Sequence, residues 1–254
     1  MVTATKSSAA RMTLSQTMSA LEKAGTAQAR KTYARHGAAE PIFGVSFAFL
    51  KTLMKRIKVD QELATALWET GNYDARNLAF KIADPERMSP AQLDKWAAEP
   101  RVRMCESYVA YLAVEGPHAR RMADKWLAAK DESRRATGWR LVGAMAMVDI
   151  DTPDGWFADR LAEIEKTIQV SPNRQRDSML QALIAIGCRS AALRKSVTAV
   201  GKRIGKVEID QGDTSCKTPE LVPTLEKTWT YAASKGFATP AAQEQARESM
   251  RTRC

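Results

Sequence analysis

Apolar residues recur along most of the chain at the three-and-four spacing that places them on one face of an α-helix. From Phe43 onward this face consists of Phe43, Phe47, Leu50, Leu53, Met54 and Ile57. The same spacing continues through residues 60–68 and 73–83, and Gly71 between the two stretches is a typical helix stop. The pattern therefore predicts successive amphipathic helices joined by short turns.

A hydroxyl residue followed by proline recurs where new helices are expected to begin. The pairs are Ser89-Pro90, Thr152-Pro153, Ser171-Pro172, Thr218-Pro219 and Thr239-Pro240. Serine or threonine at the N-cap accepts a hydrogen bond from a free backbone N–H, and proline suits the first helical position. Ser89 also has Gln92 three residues later, which predicts a capping box.

Period-two hydrophobicity, the mark of a strand, is confined to the short stretch Val207–Asp210. Many helices with short connections predict an all-α fold, either a HEAT-like helical-repeat solenoid of antiparallel helix pairs or a bundle. No strict sequence period supports tetratricopeptide or ankyrin repeats. We expect residues 1–11 to form a flexible N-terminal tail and residues 12–254 to form a single domain, because no Pro-, Gly- or Ser-rich linker divides the chain.

Composition and charge narrow the class of protein. The 254 residues include 39 Lys+Arg against 29 Asp+Glu, a formal net charge of +10, and 44% are hydrophobic, as in ordinary globular domains. No apolar run approaches the ~20 residues of a membrane span, and the start lacks the apolar core of a signal peptide. We therefore expect a cytoplasmic protein without membrane contact, and the positive charge favours an acidic partner such as nucleic acid.

Cysteine, histidine and glycine patterns argue against several chemistries. The four cysteines form no CxxC pair and the two histidines form no HExxH motif, so we predict no metal site, no disulfide framework and no histidine-dependent triad. The stretch 201–207 resembles a phosphate loop, but it is one residue short and Val207 replaces the Ser or Thr that would bind magnesium. We interpret it as a helix that ends at Gly205, and we predict no cofactor.

Four segments carry a resemblance to a known family. They are Tyr33–Met54 with its Phe-Gly-Val-Ser stretch, Leu67–Ala79 (LWETGNYDARNLA), Pro172–Gly187, and residues 204–208 with the Gly-Asp-Thr-Ser-Cys-Lys-Thr-Pro segment 212–219. In this order and spacing they resemble the bacterial DNA alkylation repair proteins built from HEAT-like repeats, the AlkD-type alkylpurine DNA glycosylases. The 212–219 segment looks like the tail of one branch of that family, and its small polar residues favour a loop that caps the end of the solenoid.

The resemblance implies a curved stack of helix pairs whose basic concave face holds double-stranded DNA, in a protein that we expect to be a monomer. Phosphate contacts are then expected from Arg134, Arg135, Arg140, Arg174, Arg176, Arg189, Lys202 and Lys206. For any single one of these residues, a solvated helix face is the alternative interpretation.

The family's chemistry implies a Trp-x-x-x-Asp step on one helix, and the corresponding residues here are Val102 and Glu106. Glu106 keeps a carboxylate that could stabilise an oxocarbenium-like sugar and orient water. Arg135 matches the arginine that contacts the DNA backbone near the lesion, and Gln181 replaces a second aromatic residue. Trp139, one turn beyond Arg135, could supply an aromatic surface, although a core tryptophan is the simpler interpretation.

Three hypotheses follow. The first is an alkylpurine DNA glycosylase with Glu106 and Arg135 as catalytic residues, acting without metal or cofactor. The second is a non-catalytic binder of branched or distorted DNA on the same scaffold. The third is a helical-repeat scaffold for protein interactions, in which the basic residues serve solubility.

Overall fold

The computed structural model describes residues 11–99 and 103–252, with the side chains of residues 103–106 left out of that description. Within these ranges all regular structure is helical. The helices are α1 Leu14–Ala24, α2 Ala27–Arg35, α3 Phe47–Ile57, α4 Gln61–Glu69, α5 Tyr73–Ile82, α6 Pro90–Ala98, α7 Arg103–Val114, α8 Ala119–Leu127, α9 Glu132–Val148, α10 Asp154–Thr167, α11 Asn173–Gly187, α12 Ala191–Ile204, α13 Leu221–Ser234 and α14 Pro240–Gln245, with one turn of 3₁₀ helix at Pro85–Arg87.

The contacts between helices divide the chain into two compact units. The first runs to Asp84 without Arg35–Ala38, and the second contains Arg35–Ala38 and the chain from Pro85 onward. In the first unit α5 packs against α1, α3 and α4, and in the second α9 packs against α6, α7, α8, α11 and α14. The core of the second unit includes the fully buried rings of Trp126, Trp139 and Phe157.

A buried carboxylate organises the start of the first unit. Asp74, in the first turn of α5, accepts hydrogen bonds from the backbone N–H groups of Phe43 (2.7 Å), Gly44 (3.0 Å) and Val45 (2.8 Å). Gly44 has φ of +81°, and a Cβ there would lie 2.5 Å from the Arg30 nitrogen. The turn therefore requires glycine, and α3 begins at Phe47 after the N-cap Ser46 rather than at Phe43 as the apolar spacing predicted.

The expected helix stops are confirmed by backbone geometry. After α4 the chain turns at Gly71, whose φ is +69°, and after α12 it turns at Gly205, whose φ is +71°. The phosphate-loop-like stretch 201–207 is accordingly the end of α12 followed by its glycine.

The hydroxyl–proline pairs have two different structural roles. Ser89 and Thr239 are N-caps with proline at the first helical position, and Ser89 forms the predicted capping box with Gln92. The other three predicted starts are wrong in detail, because Pro153 and Pro172 are themselves the cap residues and α13 begins at Leu221. There the Thr152 hydroxyl donates to Asp149 (2.7 Å) instead of capping, and the other two hydroxyls donate to backbone carbonyls.

The strand-like stretch Val207–Asp210 has no regular secondary structure and pairs with no strand in the described part of the chain. Val207 and Ile209 are buried, in keeping with their alternation. Side chains of the neighbouring helices hold the segment instead. Asn173 accepts from the Asp210 N–H (2.8 Å) and donates to its carbonyl (2.9 Å). Of the helices that the described residues form, none is long and apolar enough to cross a membrane.

Candidate functional site

A cleft of about 230 Å³ opens on the second unit where α7, α9, α11 and α13 approach one another. The helices α9 and α11 lie so close that a methyl group added at Gly143 would be 3.4 Å from both the Ala182 Cα and the Ala185 Cβ. Polar groups enter the cleft from all four helices, namely Tyr111, Arg140, Gln181, Cys188 and Thr228. The cleft therefore combines an apolar floor with a few convergent polar groups, the usual composition of a ligand site.

Arg140 supplies the only charge among the described residues that line this cleft. Its guanidinium pairs with Asp177 of α11, and the two side chains are only 14% and 7% exposed. The Arg140 Nε is buried without a hydrogen-bond partner. The ion pair ties α9 to α11 and leaves one donor of Arg140 unsatisfied.

Cys188 at the end of α11 lies in the cleft wall as a buried free thiol. Burial raises its pKa to about 12, although the nearby Arg194 opposes this shift. The thiol is therefore protonated at neutral pH and unsuited to act as a nucleophile.

Arg134 and Arg135, both predicted to contact DNA, lie in the first turns of α9. Arg134 donates to Asp94 (3.1 Å) and Asp131 (2.8 Å). Burial opposes ionisation of Asp94, but hydrogen bonds from Arg134, Lys125 and Trp126 outweigh it and lower the pKa of Asp94. Arg135 has a looser contact, 4.0 Å from Glu163 of α10, so its guanidinium is the more available of the two.

Two further arginines that we predicted to contact phosphate donate hydrogen bonds to backbone carbonyls of the protein itself. Arg189 donates to Asp154 (2.9 Å) and to the carbonyl oxygens of Asp149 and Thr152 (both 2.6 Å). Arg176 donates to the Glu208 carbonyl (2.6 Å), which fixes the segment after α12. In both side chains the donors that a phosphate would use are already engaged.

The remaining predicted contacts differ in availability. Arg174 is half-buried in the first turn of α11, and Lys206 is exposed and pairs with Glu208 at 2.6 Å. Lys202 is exposed on α12, and no described residue pairs with it. Of the eight basic residues predicted to contact phosphate, Lys202 is thus the one whose charge is free within the described structure.

The described members of the predicted catalytic set lie in different surroundings. Trp139 is fully buried in the core, with its indole N–H lacking a partner, so its ring offers no surface to a ligand. Gln181 lies in the cleft wall beside Arg140. Glu106 belongs to α7, but its side chain and all of Val102 lie outside the described residues.

The sequence interpretation overlooked several basic residues of the second unit. Residues 178–207 contain six basic side chains and no acidic one. Four of these six pair with acids from elsewhere, whereas Lys195 and Lys202 are exposed and without a described partner. Lys166 of α10 is likewise exposed and unpaired. The acid-free stretch itself was the signal that could have identified Lys195.

An ion pair between α10 and α12 places these lysines on neighbouring elements. Arg203 donates to Glu165 at 2.5 and 2.9 Å, and these hydrogen bonds lower the pKa of Glu165. The pair joins the stretches of α10 and α12 that carry Lys166 and Lys202, while Lys195 lies two turns before Lys202 on the same helix face. We call Lys166, Lys195 and Lys202 the lysine patch.

The 212–219 segment is an exposed loop in which Gly212 has φ of +61°. Its hydrogen bonds are local, such as that from the Thr214 hydroxyl to the Gln211 carbonyl (2.9 Å). Cys216 is exposed and no histidine is near it in sequence. The loop form agrees with the sequence interpretation of this segment.

A family model described as DNA alkylation repair enzyme matches residues 17–197, more than two thirds of the chain. The chain belongs to the DNA alkylation repair enzyme family. Two uncharacterized proteins, from Listeria innocua serovar 6a and Listeria monocytogenes serovar 1/2a, are 26% and 25% identical to this family member over 203 residues, or 78% of this chain and 88% of each relative.

A solved structure is also similar to this DNA alkylation repair family member. It represents a family described as related to the HEAT-like repeat DNA glycosylases, with affinity for branched DNA structures. The two chains share 30% identity with a TM-score of 0.78, over 89% of this chain and 95% of the other. The predicted all-α, HEAT-like repeat fold and the family resemblance are both confirmed by these matches.

Proposed function

We propose that this protein binds branched or otherwise distorted DNA through the lysine patch of its second unit, and that it holds the DNA without releasing a base. The observation that carries the proposal is the likeness to the branched-DNA-binding relative, at 30% identity over 89% of the chain. The net charge of +10 and the unpaired lysines supply the physical attraction to phosphate.

The lysine patch is better suited to contact phosphates than are the arginines that we predicted from the sequence. An ammonium group without an acidic partner can release counterions from DNA on binding, whereas Arg189 and Arg140 would first have to break internal pairs. The patch spans α10 and α12, so it offers charges on two neighbouring elements. Such an arrangement positions a DNA backbone without reading its sequence.

The charged group in the described lining of the cleft is the guanidinium of Arg140, which pairs with Asp177. Stabilising an oxocarbenium-like sugar requires a carboxylate at the reacting centre. The candidate carboxylate, Glu106 of α7, has its side chain outside the described residues. The proposal that the protein binds DNA without releasing a base therefore rests on the likeness to the branched-DNA-binding relative.

Replacing Lys195 and Lys202 together by glutamine is expected to weaken binding to a four-way junction about tenfold at low salt. The slope of log affinity against log salt should become shallower by about 2, since each phosphate contact contributes roughly one. Fluorescence anisotropy titrations over a series of salt concentrations measure both. The matched control is Lys51→Gln plus Lys31→Gln, which removes two exposed lysines from the first unit.

Equal affinities and slopes for the two double variants would contradict the lysine patch. A wild-type protein that binds no DNA at low salt would contradict the proposed function altogether and favour the protein-scaffold hypothesis. A preference for the junction over a linear duplex of the same length is expected of the wild type.

The second candidate function is the alkylpurine glycosylase, favoured by the carboxylate that Glu106 keeps on α7. We expect no release of base above background when the protein, in excess, is incubated with duplex DNA carrying N7-methylguanine. We also expect Glu106→Gln to leave junction binding unchanged. Chromatography of the released bases measures the first, and release that Glu106→Gln abolishes would establish the glycosylase instead.

A further inference from the structure

An exposed aromatic side chain stands on α13, beyond the residues that the family model matches. Tyr231 is 53% exposed, and it is the aromatic member of the described set of exposed large hydrophobic residues, the others being Leu14, Val59, Ile150 and Val170. The segments that carry the family resemblance end at residue 219, before this helix begins at Leu221, so neither the resemblance nor the charge pattern accounts for Tyr231.

Two lysines flank Tyr231, one on α13 and the other at the C-cap of that helix. Lys227 and Lys235 lie four residues before and after it, one helical turn in each direction. The Lys235 ammonium is 5.6 Å from the centroid of the Tyr231 ring, and both lysines are exposed. The other residues exposed between them are Thr230, Ala233 and Ser234, so this stretch carries positive charge without an acid between the lysines.

The helix that presents Tyr231 is firmly attached to the second unit. The Trp229 indole donates to the Gly187 carbonyl (2.9 Å), and Arg194 stacks over the Trp229 ring and pairs with Glu226. Leu225 is fully buried against α11, where its side chain leaves no room for a Cβ at Gly187. Tyr231 is therefore exposed on a helix that is packed firmly against the rest of the second unit.

Tyr231 lies close in sequence to a residue that lines the cleft. Thr228 lines the cleft beside Arg140 and Gln181, and Tyr231 follows it by three residues, so the two side chains are neighbours on the surface of α13. Tyr231 of the Lys227–Tyr231–Lys235 stripe is thus one helical turn from a residue of the cleft wall.

We propose that Tyr231 stacks on an unpaired base at a DNA branch point or gap, while Lys227 and Lys235 bind the phosphates on either side. This rests on the proposed DNA binding. An aromatic ring between cations is the arrangement that holds single-stranded nucleic acid, because every base offers a π-face and every linkage a phosphate. A wholly paired duplex keeps its bases stacked inside and gives Tyr231 nothing to stack on.

Tyr231→Ala is expected to weaken binding to a duplex with a short single-stranded gap about tenfold. Its affinity for the fully paired duplex of equal length should stay within about twofold of the wild type. Tyr231→Phe, which keeps the ring, should bind both DNAs like the wild type. Val59→Ala, which shortens a similarly exposed apolar residue in the first unit, is the matched control and should change neither affinity.

A 2-aminopurine base placed in the gap provides a second measurement. Stacking on Tyr231 should change its fluorescence when the wild type or Tyr231→Phe binds, and the change should be absent with Tyr231→Ala. Equal weakening on both DNAs, or no weakening on either, would overturn the role of Tyr231 while leaving the proposed function intact. A wild type that binds neither DNA would overturn both.

Discussion

Asp74→Ala is expected to destabilise the first unit by about 3–5 kcal/mol, because three backbone N–H groups, two of them in fully buried hydrogen bonds, lose their acceptor together. The carboxylate is fully buried and receives its hydrogen bonds from Phe43, Gly44 and Val45. Urea denaturation followed by circular dichroism measures the loss in the free energy of unfolding.

Hydrogen exchange localises the effect. The amides of residues 43–45 should lose their protection in Asp74→Ala before the rest of the first unit does. Asp159→Ala is the matched control, since Asp159 is an exposed carboxylate on α10 with no described partner, and it should change the free energy of unfolding by less than about 0.5 kcal/mol. Asp74→Ala with wild-type stability would show that the turn finds other acceptors.

The hydrogen bonds between Asp74 and residues 43–45 also explain why two of the segments that carry the family resemblance occur together. The Phe-Gly-Val-Ser stretch supplies the donors and the glycine of the turn, and the Asn-Tyr-Asp stretch supplies the acceptor, about thirty residues later in the chain. Asn72 caps α5 by accepting from the N–H groups of Asp74 and Ala75. Motifs that look like a functional signature are here, in large part, the parts of one structural connection.

Helix caps and helix stops could be predicted from the sequence, whereas ion pairs between residues far apart in the chain could not. The Ser89 capping box and the stops at Gly71 and Gly205 depend on residues within one turn of each other, so the sequence was sufficient to predict them. Whether an arginine is free depends on acids that lie 35 to 40 residues away, as with Arg189 and Asp154 or Arg134 and Asp94. Spacing along the chain carries no information on those partners.

The cleft and the residues around Tyr231 also combine features that the sequence predicts with features that it does not. The spacing of Lys227, Tyr231 and Lys235 can be read from the sequence, but their exposure depends on which side of α13 is docked through Leu225 and Trp229. The cleft needs the close approach of α9 and α11 at Gly143, which follows from packing rather than from any motif.

Arg189→Ala is expected to destabilise the second unit by about 2–4 kcal/mol, because one guanidinium serves a carboxylate and several backbone carbonyls at once. The side chain is only 10% exposed, and it connects the end of α9, the turn before α10 and Asp154 of α10. It also lies over the Phe157 ring, 4.6 Å from the centroid. Arg189→Lys should recover only part of the loss, since a single ammonium cannot reproduce the planar fork of donors. Urea denaturation again provides the measurement.

The same variant separates a structural role from a DNA contact. At a temperature where it remains folded, Arg189→Ala should bind a four-way junction within about twofold of the wild type, because its donors face the protein and no phosphate contact is lost. Arg121→Ala, which removes an exposed arginine of α8 without a described partner, is the matched control and should leave stability unchanged. Wild-type stability combined with weakened junction binding in Arg189→Ala would instead make Arg189 the phosphate contact that the sequence predicted, and would require its internal hydrogen bonds to open when DNA binds.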